Sequence, residues 1–393
     1  MQRSVLTLLV LTIACNGGGT SSGTDSDPGS STGTSTGVGT GSTTGDEPTT
    51  ATTSPTGTSG TTTTTTTTDG PTTESGPTST TAATTGPDTT GSTTTDGTTG
   101  EPDGEVHDPD QDGPWQFDEL AGEIDVDGEM IGVTAHYPTS GPEAGPYPVV
   151  TIAHGFNLPP TQYTGYATRL ASHGYVVLNV DHAGYIFGTV DHVANAKQVL
   201  AALDWAGEHP VLGDISDLNN VGTTGHSLGG KISVLAAMYD ARVKASLTLD
   251  PVDGANMCPN MQACPDASAM LPIAIPLGFL GETLDTAGFM ACAPAAENFT
   301  TFYAEANAPA LQVTVNGANH MSFLDDVASC GITCSFCQQP TLANAVVNDL
   351  ARAYVVAYFG RWLRDAPGYD TYLTGAEAQQ RYVDTGLVTI AEK

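Results

Sequence analysis

Apolar positions along this chain fall into two alternating patterns. Short apolar-rich segments are one: Tyr147–Ala153 (YPVVTIA), which is a continuous run, then Tyr175–Val180, the Val221-Gly222-Thr223 segment, Ala245–Leu249, Pro272–Leu280 and Ala310–Val315. Such runs predict strands covered on both faces. Between them apolar residues recur at helical spacing, as in Val193, Ala196, Leu200 and Leu203, which predict a helix over Val190–Ala206. Further helices are predicted over Gln162–His173, closed by Gly174, and over Gly230–Tyr239, Glu297–Ala304 and Leu342–Arg364. Ile124–Tyr137 reads as strands turning at Gly128, followed by a Pro/Gly loop from Pro138 to Pro148. Strands alternating with helices predict the α/β class, with a mostly parallel central sheet and helices on both faces.

The pattern starts late. From Asn16 to about Gly104 the chain is almost entirely Thr, Gly, Ser, Pro and Asp, including the run Thr61–Thr68. A stretch so poor in apolar residues cannot offset the entropy of ordering, so residues 16–113 are expected to be a disordered tether with a reach of about 50 Å. Its threonines are candidates for O-glycosylation. Residues 114–393 are then a single domain. Ahead of the tether, Arg3 and the apolar run Val5–Ala14 have the form of a signal sequence too short to span a bilayer. Leu11-Thr12-Ile13-Ala14-Cys15 resembles a bacterial lipobox, which makes residues 1–15 a lipoprotein-type signal and Cys15 the lipid anchor. The expected location is the cell envelope of a bacterium, with secretion as the alternative.

Charge narrows the partners. The chain carries 11 basic and 43 acidic residues, a net charge of −32. That balance argues against nucleic acid, and against any membrane contact other than the anchor. A monomer is expected. Beyond Cys15 the cysteines are Cys258, Cys264, Cys292, Cys330, Cys334 and Cys337. In an exported chain they predict disulfides, whose pairing the sequence leaves open. A zinc site at Cys330, Cys334 and Cys337 is the weaker reading. No cofactor is expected: no G-x-G-x-x-G follows a strand and no P-loop is present. Asp108, Asp110, Asp112 and Glu119 fit the spacing of an EF-hand calcium loop, but prolines and the tether stand where its incoming helix belongs.

The chemistry centres on Gly225-His226-Ser227-Leu228-Gly229, a G-x-S-x-G between a predicted strand and a predicted helix. That context predicts a nucleophile elbow, with Ser227 on a sharp turn and Gly225 and Gly229 where strand and helix pass closely. A serine nucleophile needs a base, an orienter for the base and donors for an oxyanion. His320 follows the last predicted parallel strand and is the candidate base. The amide of Leu228 and that of Phe156, in His154-Gly155-Phe156 just after a buried strand, are the candidate oxyanion donors. For the acid, Asp250 and Asp285 both follow strands, Glu282 and Asp253 are weaker options, and position does not decide. Tyr185, Ile186, Phe187, Met257 and Met321 are candidates for an apolar acyl pocket, with plain core packing the commoner explanation.

These motifs resemble the chlorophyllase family. The likeness rests on His154-Gly155-Phe156, Leu170-Ala171-Ser172-His173-Gly174-Tyr175, Gly225 to Lys231, Leu249 to Gly254, Cys292-Ala293-Pro294, Phe302-Tyr303 and His320 to Asp326, in that order. It extends to related lipases, platelet-activating-factor acetylhydrolases and polyester hydrolases. The resemblance implies an α/β-hydrolase fold and a serine esterase with Ser227 as nucleophile, Asp250 as acid and His320 as base. It also implies an ester substrate with an apolar acyl or alcohol part. Leu228 stands where plant chlorophyllases commonly carry Arg, so the substrate is left open. An amidase, a polyester hydrolase and a non-catalytic binding protein on the same scaffold are the competing expectations.

Overall fold

The computed structural model describes residues 105–183, 190–255, 258–288 and 291–393. Their centre is a nine-stranded sheet in the order β1-β2-β4-β3-β5-β6-β7-β8-β9. β1 (Gln116–Val126) and β2 (Glu129–Ser140) form an antiparallel hairpin, with Val126 opposite Glu129. The two turn residues, Asp127 at φ 56° and Gly128 at φ 88°, both take the left-handed backbone that a two-residue hairpin turn requires. β2 also pairs antiparallel with β4 (Val176–Asp181).

The middle of the sheet is parallel. β3 (Tyr147–Ala153) lies between β4 and β5 (Ser216–Gly225), and β6 (Val243–Leu249), β7 (Leu277–Glu282) and β8 (Ala310–Val315) follow. Every residue of β3 is buried because both faces are covered. Val150 and Ile152 enter a core shared with α1 (Thr164–Ser172) and α6 (Asn344–Leu363). Val149 and Ala153 enter the opposite core, shared with α2 (His192–Glu208), α3 (Leu228–Tyr239) and α5 (Phe299–Glu305). A short α4 (Ala267–Met270) lies between β6 and β7. Each large aliphatic side chain so buried contributes roughly 1.5–3 kcal/mol, so alternating side chains of one strand tie both layers to the sheet. The α/β class and the mostly parallel sheet are as the pattern predicts.

Three features differ from the sequence reading. β7 begins at Leu277 rather than Pro272, because Pro272 and Pro276 lack the amide hydrogen a central strand must donate. A ninth strand, β9 (Val388–Glu392), pairs antiparallel with β8 at the sheet edge. The packed unit also starts before residue 114. The amide of His107 donates to the Tyr369 hydroxyl at 3.3 Å, and Arg169 donates to the Pro109 carbonyl at 2.9 Å.

The acidic residues with calcium-loop spacing are taken up by other partners. Asp108 accepts from Arg381 at 2.8 Å and is held below the usual carboxylate range by it; Asp110 accepts from Arg381 and from the Tyr382 hydroxyl. Asp112 pairs with Arg169 at 3.0 Å. Glu119 is in the middle of β1, facing His136 on β2 at 3.7 Å, not at the end of a loop. The expected signal, Cys15 and most of the tether lie outside the described residues.

Candidate active site

β5 delivers the chain to Ser227 and α3 carries it away. Ser227 has φ 58° and ψ −122°, a strained conformation that lifts its side chain out of both elements. The residues two positions to either side must be glycines. A Cβ on Gly229 would stand 2.1 Å from the Ala153 carbonyl oxygen, and one on Gly225 would stand 2.4 Å from that of Gly229. The strained turn is held by the backbone: the Ser227 amide donates to Leu249 at 3.0 Å, and its carbonyl accepts from Gly230 and Val252 at 3.0 and 3.2 Å.

Above this turn three side chains form one series. The Ser227 hydroxyl lies 2.9 Å from His320 Nε2, and His320 Nδ1 lies 2.6 Å from Asp250 Oδ2. Asp250 is fully buried, and its left-handed backbone, φ 44°, turns the carboxylate at the end of β6. Burial raises its carboxyl above the ordinary range, and the hydrogen bond and charge of His320 pull it back. The backbone of His320 is held as firmly as its ring. Its amide donates to Asp285 Oδ2 at 2.9 Å, and its carbonyl faces His226 Nε2 at 2.8 Å.

Of the four carboxylates left open by the sequence, only Asp250 meets the His320 ring. Asp285 is fully buried but spends both oxygens on backbone amides, those of His320 and Gln338, each at 2.9 Å. Glu282 Oε2 accepts from the amides of Leu284 and Asp285. Burial and then the charge of Asp250 push the Glu282 carboxyl up to about 8. Asp253 pairs with the buried Lys231 at 2.8 Å and caps α4 through the amides of Ala267 and Ser268.

The chlorophyllase family model matches residues 133–376, more than half of the chain. The chain belongs to the chlorophyllase family. Among curated proteins it is similar to chlorophyllase-2 of Arabidopsis thaliana, 29% identical over 203 residues, covering 47% of this chain and 63% of that protein. It is similar to a bis(hydroxyethyl) terephthalate hydrolase of Streptomyces coelicolor, 36% identical over 122 residues, covering 30% of this chain and 37% of that one. It is also similar to cutinase est1 of Thermobifida alba, 30% identical over 148 residues, covering 35% and 46%. Each alignment spans less than two thirds of the relative's own length.

The family's sheet places the remaining candidates as follows. Leu228 is the first residue of α3, where amides have no partner inside the helix. Phe156 follows β3 in a turn closed by the Leu158 amide on the Gly155 carbonyl at 3.1 Å. Behind that turn the His154 ring stacks on His182, centroids 3.8 Å apart. Met321 is buried in the core beside α6, so packing accounts for it. Tyr185, Ile186, Phe187 and Met257 lie outside the described residues.

The cysteines pair as Cys258–Cys264, Cys292–Cys337 and Cys330–Cys334. A zinc site at Cys330, Cys334 and Cys337 is therefore ruled out, since all three sulfurs are in disulfides. The same holds for the two groups that His192 and Asp285 would form with neighbouring cysteines. Sequence reasoning passed over three buried polar residues that frame the site: Tyr163, His226 and Lys231. The one available signal was a histidine inside G-x-S-x-G, next to the serine.

Proposed function

We propose that this chain is a serine carboxylic-ester hydrolase acting through an acyl-enzyme. The observation that carries the reading is the unbroken hydrogen-bond series Asp250–His320–Ser227 on a strained strand-to-helix turn. In this reading Ser227 Oγ attacks the ester carbonyl and His320 Nε2 takes its proton. Asp250 holds Nδ1–H, fixes the tautomer and stabilises the imidazolium. The amides of Phe156 and Leu228 receive the oxyanion, each such donor being worth about 3–4 kcal/mol in the transition state. The alcohol leaves with the proton from His320, and water then repeats the sequence on the acyl-enzyme.

Membership of a family with chlorophyllases, and similarity to a terephthalate hydrolase and a cutinase, support an ester with an apolar acyl or alcohol part. Export is supported by the signal-like start and by three disulfides, and anchoring by Cys15 ahead of a Thr/Gly/Ser-rich stretch. The test is labelling by a fluorophosphonate probe, with a panel of p-nitrophenyl esters of increasing chain length and one insoluble polyester. Labelling and turnover are expected in the wild type, and neither in Ser227→Ala. Hydrolysis by Ser227→Ala at a tenth of the wild-type rate would overturn the assignment. Replacing Cys15 by Ser is expected to move the protein from the membrane fraction to the soluble one.

A further inference from the structure

Behind the Ser227 turn lies a second hydrogen-bonded series that the mechanism above does not use. The Gly155 amide donates to the Tyr163 hydroxyl at 3.1 Å. The Tyr163 hydroxyl lies 2.9 Å from His226 Nδ1, and His226 Nε2 lies 2.8 Å from the carbonyl oxygen of His320. Tyr163 and His226 are fully buried. We propose that Tyr163 and His226 are positioning residues: they form a one-way hydrogen-bond strut from the oxyanion loop to the backbone of the catalytic base. The proposal rests on the esterase reading given above.

The direction of every bond follows from the groups at the ends. A carbonyl only accepts, so His226 Nε2 must carry the proton it presents to His320. Burial, and the nearby charge of His320, depress the basicity of the His226 ring, so it stays neutral and Nδ1 is bare. Neutrality is also needed for catalysis, because its ring centroid is 4.7 Å from that of His320, which becomes an imidazolium. A bare Nδ1 accepts from Tyr163 O–H, whose lone pairs are then left for the Gly155 amide. Each donor has one acceptor and no proton can be reassigned without orphaning a buried group, which costs roughly 1–3 kcal/mol.

The strut acts on the oxyanion loop through two successive peptide planes that meet at the Gly155 Cα: it holds the His154–Gly155 plane by its N–H, and the Gly155–Phe156 plane hinges on that fixed point. The Gly155 carbonyl is held by the Leu158 amide at 3.1 Å and faces His154 Nδ1 at 2.9 Å. The Phe156 N–H shares that plane and points away from the carbonyl. Fixing both polar atoms of Gly155 therefore aims the Phe156 N–H. Gly155 itself has no room for a side chain: a Cβ would meet Leu158 Cδ1 at 2.9 Å, His226 Nδ1 at 3.1 Å and the Tyr163 hydroxyl at 3.2 Å. An apolar pair at 163 and 226 would fill this space without burying polar atoms. It would leave the Gly155 amide and the His320 carbonyl without those partners.

The test is Tyr163→Phe, which keeps the ring and removes only the middle of the strut. With a p-nitrophenyl ester, kcat is expected to fall by about tenfold to a hundredfold, as for a misaimed oxyanion donor, while KM stays within about twofold. Binding of a boronic acid that mimics the tetrahedral state should weaken by the same factor as kcat/KM. A folded Tyr163→Phe variant with wild-type kcat would overturn the strut. So would a fall in kcat that vanishes once the folded fraction is corrected for by active-site titration with the fluorophosphonate. A wild type that neither hydrolyses esters nor takes the probe would overturn the esterase reading, and the strut with it. Wild-type turnover with an unaffected variant would overturn the strut alone.

Discussion

Asp250 and Asp285 follow neighbouring strands, β6 and β7, and both are fully buried against His320. Residue type, burial and strand-end position are the same for both. They differ in the atoms they reach. Asp250 reaches the ring at Nδ1, where charge would appear if, as proposed, the imidazole takes the serine proton. Asp285 reaches the His320 amide and the Gln338 amide, whose partial charges do not change during any step. In the proposed mechanism one carboxylate responds to the chemistry and the other holds the loop. The lesson is that burial and a carboxylate at a strand end do not make a catalytic acid; a single backbone torsion at Asp250, φ 44°, aims one of them at the ring.

The sharpest break of this comparison is Asp250→Asn. It keeps the shape but offers the ring the wrong hydrogen-bond partner, and a loss of about 10⁴ in kcat is expected with KM little changed. Steady-state kinetics on a soluble ester checks it. A larger loss at Asp285 than at Asp250 would reverse the roles.

The second effect is on stability and belongs to the Asp285 side. Cys292–Cys337 crosslinks the segment after Asp285 to the segment beyond His320 and closes a loop with a sequence separation of 45. Cys258–Cys264 and Cys330–Cys334 close separations of 6 and 4. By chain entropy the long closure is worth about 4 kcal/mol and each short one about 2. Replacing Cys292 and Cys337 together by Ser should therefore lower the urea midpoint more than either other pair. Equal losses for all three pairs would mean that the loop-closing argument fails here.

Third, Asp285→Asn should cost less than about tenfold in kcat yet destabilise by about 1–3 kcal/mol. The new amide N–H₂ faces one of the two backbone amides that the carboxylate now accepts from. Denaturant unfolding beside kinetics separates the two readouts. A large kcat loss without loss of stability would make Asp285 a participant in the chemistry.

Much of this was legible in the sequence, for identifiable reasons. β3 is a nearly continuous apolar run because both its faces are covered, and a serine between strand and helix marks its own turn. β9 was not legible: Val388–Glu392 is short and at the sheet edge, and its pattern exists only against β8. Asp250 could not be chosen over Asp285 from the residues alone, because the choice is made by a torsion. The Tyr163–His226 contact was not legible because it spans 63 positions and only His226 lies in a motif, at one of its unspecified positions.

A pH-dependent difference tests whether Asp250 carries the carboxylate charge that answers His320. Glu282 is fully buried on the strand next to Asp250, and its carboxyl is pushed from 4.5 up to about 8 by burial and by Asp250. Below about 4.5 the folded and unfolded chains both hold this proton and it has no effect on stability. Between about 4.5 and about 8 the unfolded chain releases it while the folded chain keeps it, so stability falls as pH rises. Above about 8 the penalty is constant. Buried histidines act in the opposite sense: His173, pushed down to about 4, and His192, to about 3, make stability rise with pH toward their ordinary value of 6.5. The wild-type curve therefore mixes two slopes, and only a difference isolates Glu282. Glu282→Gln keeps the acceptor for the Leu284 and Asp285 amides and cannot ionise. The variant should gain stability relative to wild type steadily from about pH 4.5 to about pH 8, then hold a constant lead. Melting curves of both proteins across that range measure it. A constant gap throughout would mean that Glu282 is already ionised in the folded protein. A second negative charge would then stand beside Asp250, and the contrast between one responsive carboxylate and one fixed clamp would no longer hold.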